Sequence, residues 1–316
     1  MDEAELNEIL QKIESEMTGD PERDADILND WGERYREQPG SEPLLQEIGR
    51  RLFQLVIDED PELTQEIFDD MVSTADEDYA EACRLIEEKQ YDEAIGKLQV
   101  LAALARAYPL SEGSVWTDFN SFLDSLVYQD YFSEKIGERE IARHPMHPAH
   151  MLYTLGSLLI EMGQAEEAVE PLGMLLALDP VCPKYLFELG EAYKRTGQMQ
   201  EAYDNAKWAL MCASNRSELA RAYRDLAFCF SETGAYEDAV MLNLLSLQYQ
   251  SSRHAEAEIA WIHKQSGISS EGFSYETITE RCRELNIPVG ISETVQQNID
   301  FLQMIGETKQ GQDNKQ

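Results

Sequence analysis

The stretch LYTLGSLLIEMGQAEEA, residues 152–168, decides how this chain folds, because residues 186–202, LFELGEAYKRTGQMQEA, repeat its pattern 34 positions later. Leu152, Leu155, Gly156, Leu159, Gly163 and Ala168 return as Leu186, Leu189, Gly190, Tyr193, Gly197 and Ala202. A third copy follows after 37 residues as Tyr223, Leu226, Ala227, Phe230, Gly234 and Ala239, the three extra residues fitting near 214–217. An earlier copy is Ala82, Leu85, Tyr91 and Ala94, 74 residues before Gly156, Leu159, Ala165 and Ala168.

Each position has a physical reason. Leu152, Leu155 and Leu159 fall on one stripe of a helix, which marks a buried face. Gly156, Gly190 and the equivalent Ala82 and Ala227 are small where two helices approach closely. Gly163, Gly197 and Gly234 end the helix, since glycine adopts a left-handed cap most cheaply. The next helix opens with acids that favour a helix N-terminus, as in Ala165-Glu-Glu, Met199-Gln-Glu and Tyr236-Glu-Asp. Leu178-Asp-Pro180 stops it. The pattern predicts helix pairs 149–162 with 166–178, 183–196 with 199–212, and 219–232 with 236–250.

A small residue, a helix-ending Gly, a packing Ala and a final Pro in this order resemble the tetratricopeptide repeat family. The resemblance covers residues 149–251, about a third of the chain. It implies an all-α fold, an α-solenoid of antiparallel helix pairs wound as a right-handed superhelix. Three regions are expected: an acidic helical region at 1–74 that could hold divergent repeats, a repeat array at 75–266, and capping helices with a tail at 267–316. Residues 114–148 have the length of a unit but only Ser121 and Gly137 near its small positions, so they read as a degenerate repeat. Residues 25–37, 43–57 and 62–72 read as helices, with Asp58-Glu-Asp-Pro61 resembling another repeat ending. Helix 253–265 would seal the array, 275–285 and 293–304 would follow, and 306–316 has too few apolar residues to be ordered. No strand is expected.

The formal charge of −35 opposes binding to nucleic acid or an anionic membrane, both of which need a cationic footprint. The excess is uneven, with 25 Asp/Glu against 6 Lys/Arg in the first eighty residues. No apolar run reaches the roughly 18 residues of a membrane span. Residues 1–17 are acidic and amphipathic and do not read as a secretory signal, so the cytoplasm is the expected location. Cys83, Cys182, Cys212, Cys229 and Cys282 lie far apart, with no C-x-x-C pair, and read as reduced, buried thiols.

Signatures of phosphate-binding loops, nucleophile elbows and zinc hydrolases are absent, so no enzymatic role, cofactor or metal is expected. His144-Pro-Met-His147-Pro-Ala-His150 places three imidazoles at steps of three, but Pro145 and Pro148 break the helix that would align them, and the segment reads as a turn between repeats.

Tetratricopeptide arrays use the inner faces of their first helices as a ligand groove. Here the stripes are His150, Tyr153, Ser157 and Ile160; then Lys184, Phe187, Glu191 and Lys194; then Arg221, Arg224, Phe228 and Ser231. Interleaved aromatic and cationic residues suit hot-spot recognition, so Tyr153, Ser157, Lys184, Phe187, Glu191, Lys194, Arg221, Arg224 and Phe228 form the candidate groove. The resemblance implies a scaffold that binds a protein or peptide partner. The Lys and Asn clamp by which some members hold acidic chaperone tails is not matched, because Tyr153, Thr154 and Ser157 stand in one unit and Glu188 and Glu191 in the next. The alternative is a regulator or sensor that takes a small peptide or metabolite in the same groove.

Overall fold

The computed structural model describes residues 3–36, 38, 41–59, 61–108, 110 and 113–313. Among them are fifteen helices and two four-residue strands, and no helix is long and apolar enough to cross a membrane. The chain divides into two compact units, residues 1–74 and 75–316.

The first unit packs α1 (Glu3–Glu16), α2 (Pro21–Tyr35) and α3 (Glu42–Glu59) around Ile9, Ile13, Leu28, Trp31, Leu44 and Ile48. Asp20 caps α2 and Pro21 fills its first turn. The buried carboxylate of Asp24 accepts from the backbone N–H groups of Thr18 and Gly19 at 2.6 and 2.9 Å, which fixes the entry to α2. Pro61 opens α4 (Pro61–Glu87), one unbroken helix where a stop at 72 was expected, so the boundary at 74 falls inside it. Asp60, in the expected repeat ending, lies outside the described residues.

In the second unit α4 is followed by α5 (Tyr91–Ala107). After an excursion come α7 (Ala149–Glu161) with α8 (Ala165–Leu178), α9 (Pro183–Arg195) with α10 (Met199–Cys212), and α11 (Arg216–Glu232) with α12 (Tyr236–Tyr249). Each helix from α7 to α12 packs on the next, and α7, α9 and α11 touch in succession. These six begin and end within three residues of the predicted spans.

One turn closes the first helix of every pair. Gln90, Gln164, Gln198 and Ala235 each donate their backbone N–H to a carbonyl five residues back, at 2.8–2.9 Å. The residue before each is left-handed: Lys89, Gly163, Gly197 and Gly234, with φ of 62, 82, 75 and 80°. Gly156 is needed for packing, since a Cβ there would lie 2.5 Å from Leu172 Cδ2 on α8. At Gly190 it would meet only the end of the Asn205 side chain, at 3.0 Å. The two glycines expected at close contacts therefore differ in rigidity.

Residues 114–148 are not a degenerate helical repeat, and the expectation of no strand fails there. Strand β1 (Ser114–Thr117), α6 (Phe122–Ile136) and β2 (Glu140–Arg143) form a strand–helix–strand excursion whose strands pair in parallel, Ser114 opposite Glu140. Meanwhile α5 packs directly on α7, so no room is left between them for another helical pair. The excursion is anchored from outside. Tyr131 and Phe132 of α6 pack on Trp208 of α10, and Trp208 donates its indole N–H to Pro180 O at 2.7 Å.

Beyond α12 come α13 (Arg253–Ser266), α14 (Tyr275–Glu284) and α15 (Glu293–Asp313). The last is longer than the 293–304 expected and continues into the stretch read as disordered. It packs on α6, where Asn298 donates to Asp130 at 2.7 Å. The preceding loop is tied to α11: Tyr223, fully buried, donates to Pro288 O at 2.9 Å and accepts from Gly290 N at 3.0 Å.

Candidate functional site

The stripes expected to form a groove lie on α7, α9 and α11, and the contacts between those helices bring them together. The repeat offset places Tyr79, Tyr153 and Phe187 at one structural position and His150, Lys184 and Arg221 at another. In space each basic residue sits against the ring of the preceding unit. His150 meets Tyr79 edge-on at 4.4 Å between centroids, Lys184 Nζ lies 3.7 Å from the centroid of Tyr153, and the Arg221 guanidinium lies 4.6 Å from that of Phe187. Lys194 Nζ runs the other way, 5.4 Å from the ring of Phe228 in the following unit.

Acids thread between these cations. Glu188 lies 3.5 Å from Arg221 and accepts a hydrogen bond from Ser157 at 3.4 Å. Lys194 bridges Glu191 at 2.8 Å and Asp225 at 3.0 Å. Burial opposes the Lys194 ammonium, but Asp225 and Glu191 outweigh it and hold its pKa above the usual value. Burial likewise pushes Glu191 up, and Lys194 and Arg195 overcome it, leaving the carboxyl low. Burial lowers Arg224, one of whose terminal nitrogens is enclosed without a hydrogen-bond partner.

The nine candidates thus divide. Phe187 is 4% exposed beneath Arg221, and Glu191 and Lys194 answer each other, so these three hold the face together. Tyr153, Ser157, Arg221, Arg224 and Phe228 are half-buried, and Lys184 is exposed. Among the described residues no carboxylate lies within ion-pair distance of Lys184. Four cations, Lys184, Lys194, Arg221 and Arg224, face three acids, Glu188, Glu191 and Asp225, leaving one net positive charge on a chain of −35.

Asp225 lies outside the three stripes, although it sits 37 residues after Glu188, at the same repeat position. The covering of each ring by the next unit carries no signal within a single helix. The three imidazoles go separate ways. His144 Nδ1 accepts from Met146 N at 3.2 Å, so the proton sits on Nε2, which donates to Ala105 O at 3.3 Å. His147 points at Asp118, 3.6 Å away, and His150 packs on Tyr79. One depression of about 610 Å³, lined by Gly234, Tyr236, Asp238, Met241, Ile268 and Arg281, includes none of the nine residues.

No family model matches the chain, and comparison with curated proteins finds no match.

Proposed function

We propose that this chain is a tetratricopeptide-type α-solenoid, wound as a right-handed superhelix, which binds a segment of a protein partner along α7, α9 and α11 and has no catalytic role. The observation that carries the reading is the near-neutral, cation-bearing face of half-buried aromatic side chains in an otherwise strongly acidic chain. Tyr153, Ser157, Lys184, Arg221, Arg224 and Phe228 contact the partner, while Phe187, Glu191 and Lys194 hold the shape of the face. The partner segment carries an acidic group for Lys184 and Arg224, the two cations least satisfied within the chain, and an apolar side chain for Phe228 and Tyr153. Charge elsewhere on the chain acts weakly at contact range, because separations beyond roughly 8–10 Å are screened at physiological salt.

The test is a pull-down from extract of the native cells with the full chain. One variant carries Lys184→Glu and Arg224→Glu; another carries Arg253→Glu and Lys264→Glu, which changes the net charge equally on the exposed side of α13. The first should weaken recovery of the dominant partner about tenfold, a loss of about 1.4 kcal/mol. The second should leave it unchanged. Equal recovery by both variants places the site elsewhere, and equal loss by both reduces the effect to overall charge.

A further inference from the structure

Away from that face, three potential metal ligands meet where the excursion touches the repeats. Strand β1 ends at Thr117, and the next residues lace onto the turn between α8 and α9. Asp118 N donates to Leu178 O at 3.2 Å, and Asn120 N donates to Asp179 Oδ2 at 2.9 Å. Ser121 caps α6, its hydroxyl accepting from Asp124 N at 3.1 Å, which puts Asp124 in the first turn of that helix. Across from it are Asp179 and Cys182, just before α9 begins at Pro183. One oxygen of Asp124, one of Asp179 and the sulfur of Cys182 all lie within 4.8 Å of one another.

All three side chains are enclosed, with exposures of 8, 0 and 1%. Asp124 Oδ2 and Asp179 Oδ1 have no hydrogen-bond partner. Among the described residues no Lys, Arg or His forms an ion pair with either carboxylate. Asp118, two residues from Asn120, shows the contrast, since Arg143 Nε at 3.1 Å and Ala149 N at 2.9 Å answer its two oxygens. Burial pushes Asp179 up to about 7 and raises Asp124 and Cys182 as well, the response of acids that lack a counter-charge. Buried charge without a partner is unfavourable enough that a cation or a proton must answer it.

We propose that Asp124, Asp179 and Cys182 bind a divalent transition-metal ion of the zinc class, which clips the first turn of α6 to the α8–α9 turn. The ligand chemistry favours this class over magnesium or calcium. A thiolate beside two carboxylates suits a borderline ion, whereas the hard cations require about six or more oxygens. Zinc places oxygen at about 2.0–2.2 Å and sulfur at about 2.3 Å in a tetrahedron, so the three ligands draw together slightly and a fourth position remains for water. On binding, the Cys182 S–H bond breaks, the S–metal bond forms and the proton leaves to solvent, as does any proton held by the two carboxyls.

The full chain, freed of metal with a chelator, is titrated with Co²⁺ alone and then with Zn²⁺. The result expected is one Co²⁺ per chain with a near-ultraviolet thiolate-to-cobalt band, displaced by Zn²⁺. Cys182→Ser loses the band and Cys229→Ser, at a buried thiol on α11, keeps it. Asp179→Asn is the second variant, since it removes a buried charge and keeps an oxygen to accept from Asn120 N. Without metal it should melt no lower than the parent, and unlike the parent it should gain no melting temperature from Zn²⁺. Absence of Co²⁺ binding by the parent chain overturns the proposal and leaves a shared proton as the answer to the buried charge. So does a thiolate band that survives in Cys182→Ser.

Discussion

The repeats at 149–251 and the excursion at 114–143 are held by different kinds of interaction. Within the repeats the same contacts recur at each step: a left-handed residue closes the first helix, a small residue admits its neighbour, and a basic side chain covers the ring before it. The excursion has no internal repetition. Its two strands pair only with each other, and α6 is fixed by Trp208 and by α15, from segments far away in sequence. Nearest-neighbour packing can be read from a period, whereas an element anchored by single distant contacts cannot.

The sharpest way to separate the two regions is Trp208→Ala. It removes the bond to Pro180 O and the support under Tyr131 and Phe132, and should cost on the order of 3 kcal/mol. Hydrogen exchange should show residues 114–143 losing protection ahead of 149–178. Uniform loss across both would mean that the excursion is part of one cooperative unit with the repeats.

Gly156→Leu attacks the repeats instead. Even a Cβ collides with Leu172, so overpacking should cost about 1–3 kcal/mol in urea melts. By contrast Gly96→Ala, with nothing within 4 Å of its added methyl on α5, should raise stability by about 0.5–1 kcal/mol. A Gly156 variant as stable as the parent would mean that α7 and α8 do not depend on a close approach there.

The period that reveals the helix pairs also locates Gly163, Gly197 and Gly234, because each fills a position that backbone geometry demands. It does not reveal β1 or β2. Runs of four such as Ser114-Val-Trp-Thr and Glu140-Ile-Ala-Arg are too short to establish an alternation, and their parallel pairing joins segments separated by the whole of α6. The site is legible to the same degree. The stripes on α7, α9 and α11 follow from spacing, but the placement of Arg221 from the next unit over the buried Phe187 ring is something no single helix shows. Asp124, in the first turn of α6, and Asp179 and Cys182, in the α8–α9 turn, lie more than fifty residues apart and share no motif.

Lys89 offers a smaller test. It occupies the left-handed position that glycine fills in the other three repeats, with φ of 62°. Lys89→Gly should therefore stabilise the chain by roughly 1 kcal/mol, against a loss of similar size for Gly163→Ala. No gain from the first would show that Lys89 makes compensating contacts.

The smallest effect expected is a pH slope at His144, the joint between β2 and α5. Burial lowers its pKa below the usual 6.5, and the neutral ring both accepts from Met146 and donates to Ala105. Below about pH 6.5 the unfolded chain takes up more proton than the folded one, so this contribution grows as pH rises toward 6.5 and is constant above it. His144→Gln should remove that part of the slope from a stability profile between pH 5 and 7, and an unchanged profile would place the titrating group elsewhere.

The claim that the face of α7, α9 and α11 binds a protein segment is tested most directly by crosslinking in native extract. A photoreactive residue is placed at Ser157, on the α7 side of the face, and in a second chain at Val100, 62% exposed on α5. One dominant crosslinked partner is expected from position 157, joined through a segment that contains acidic and apolar residues, and none of that partner from position 100. No crosslink from 157, or the same partner captured equally from both positions, would contradict it.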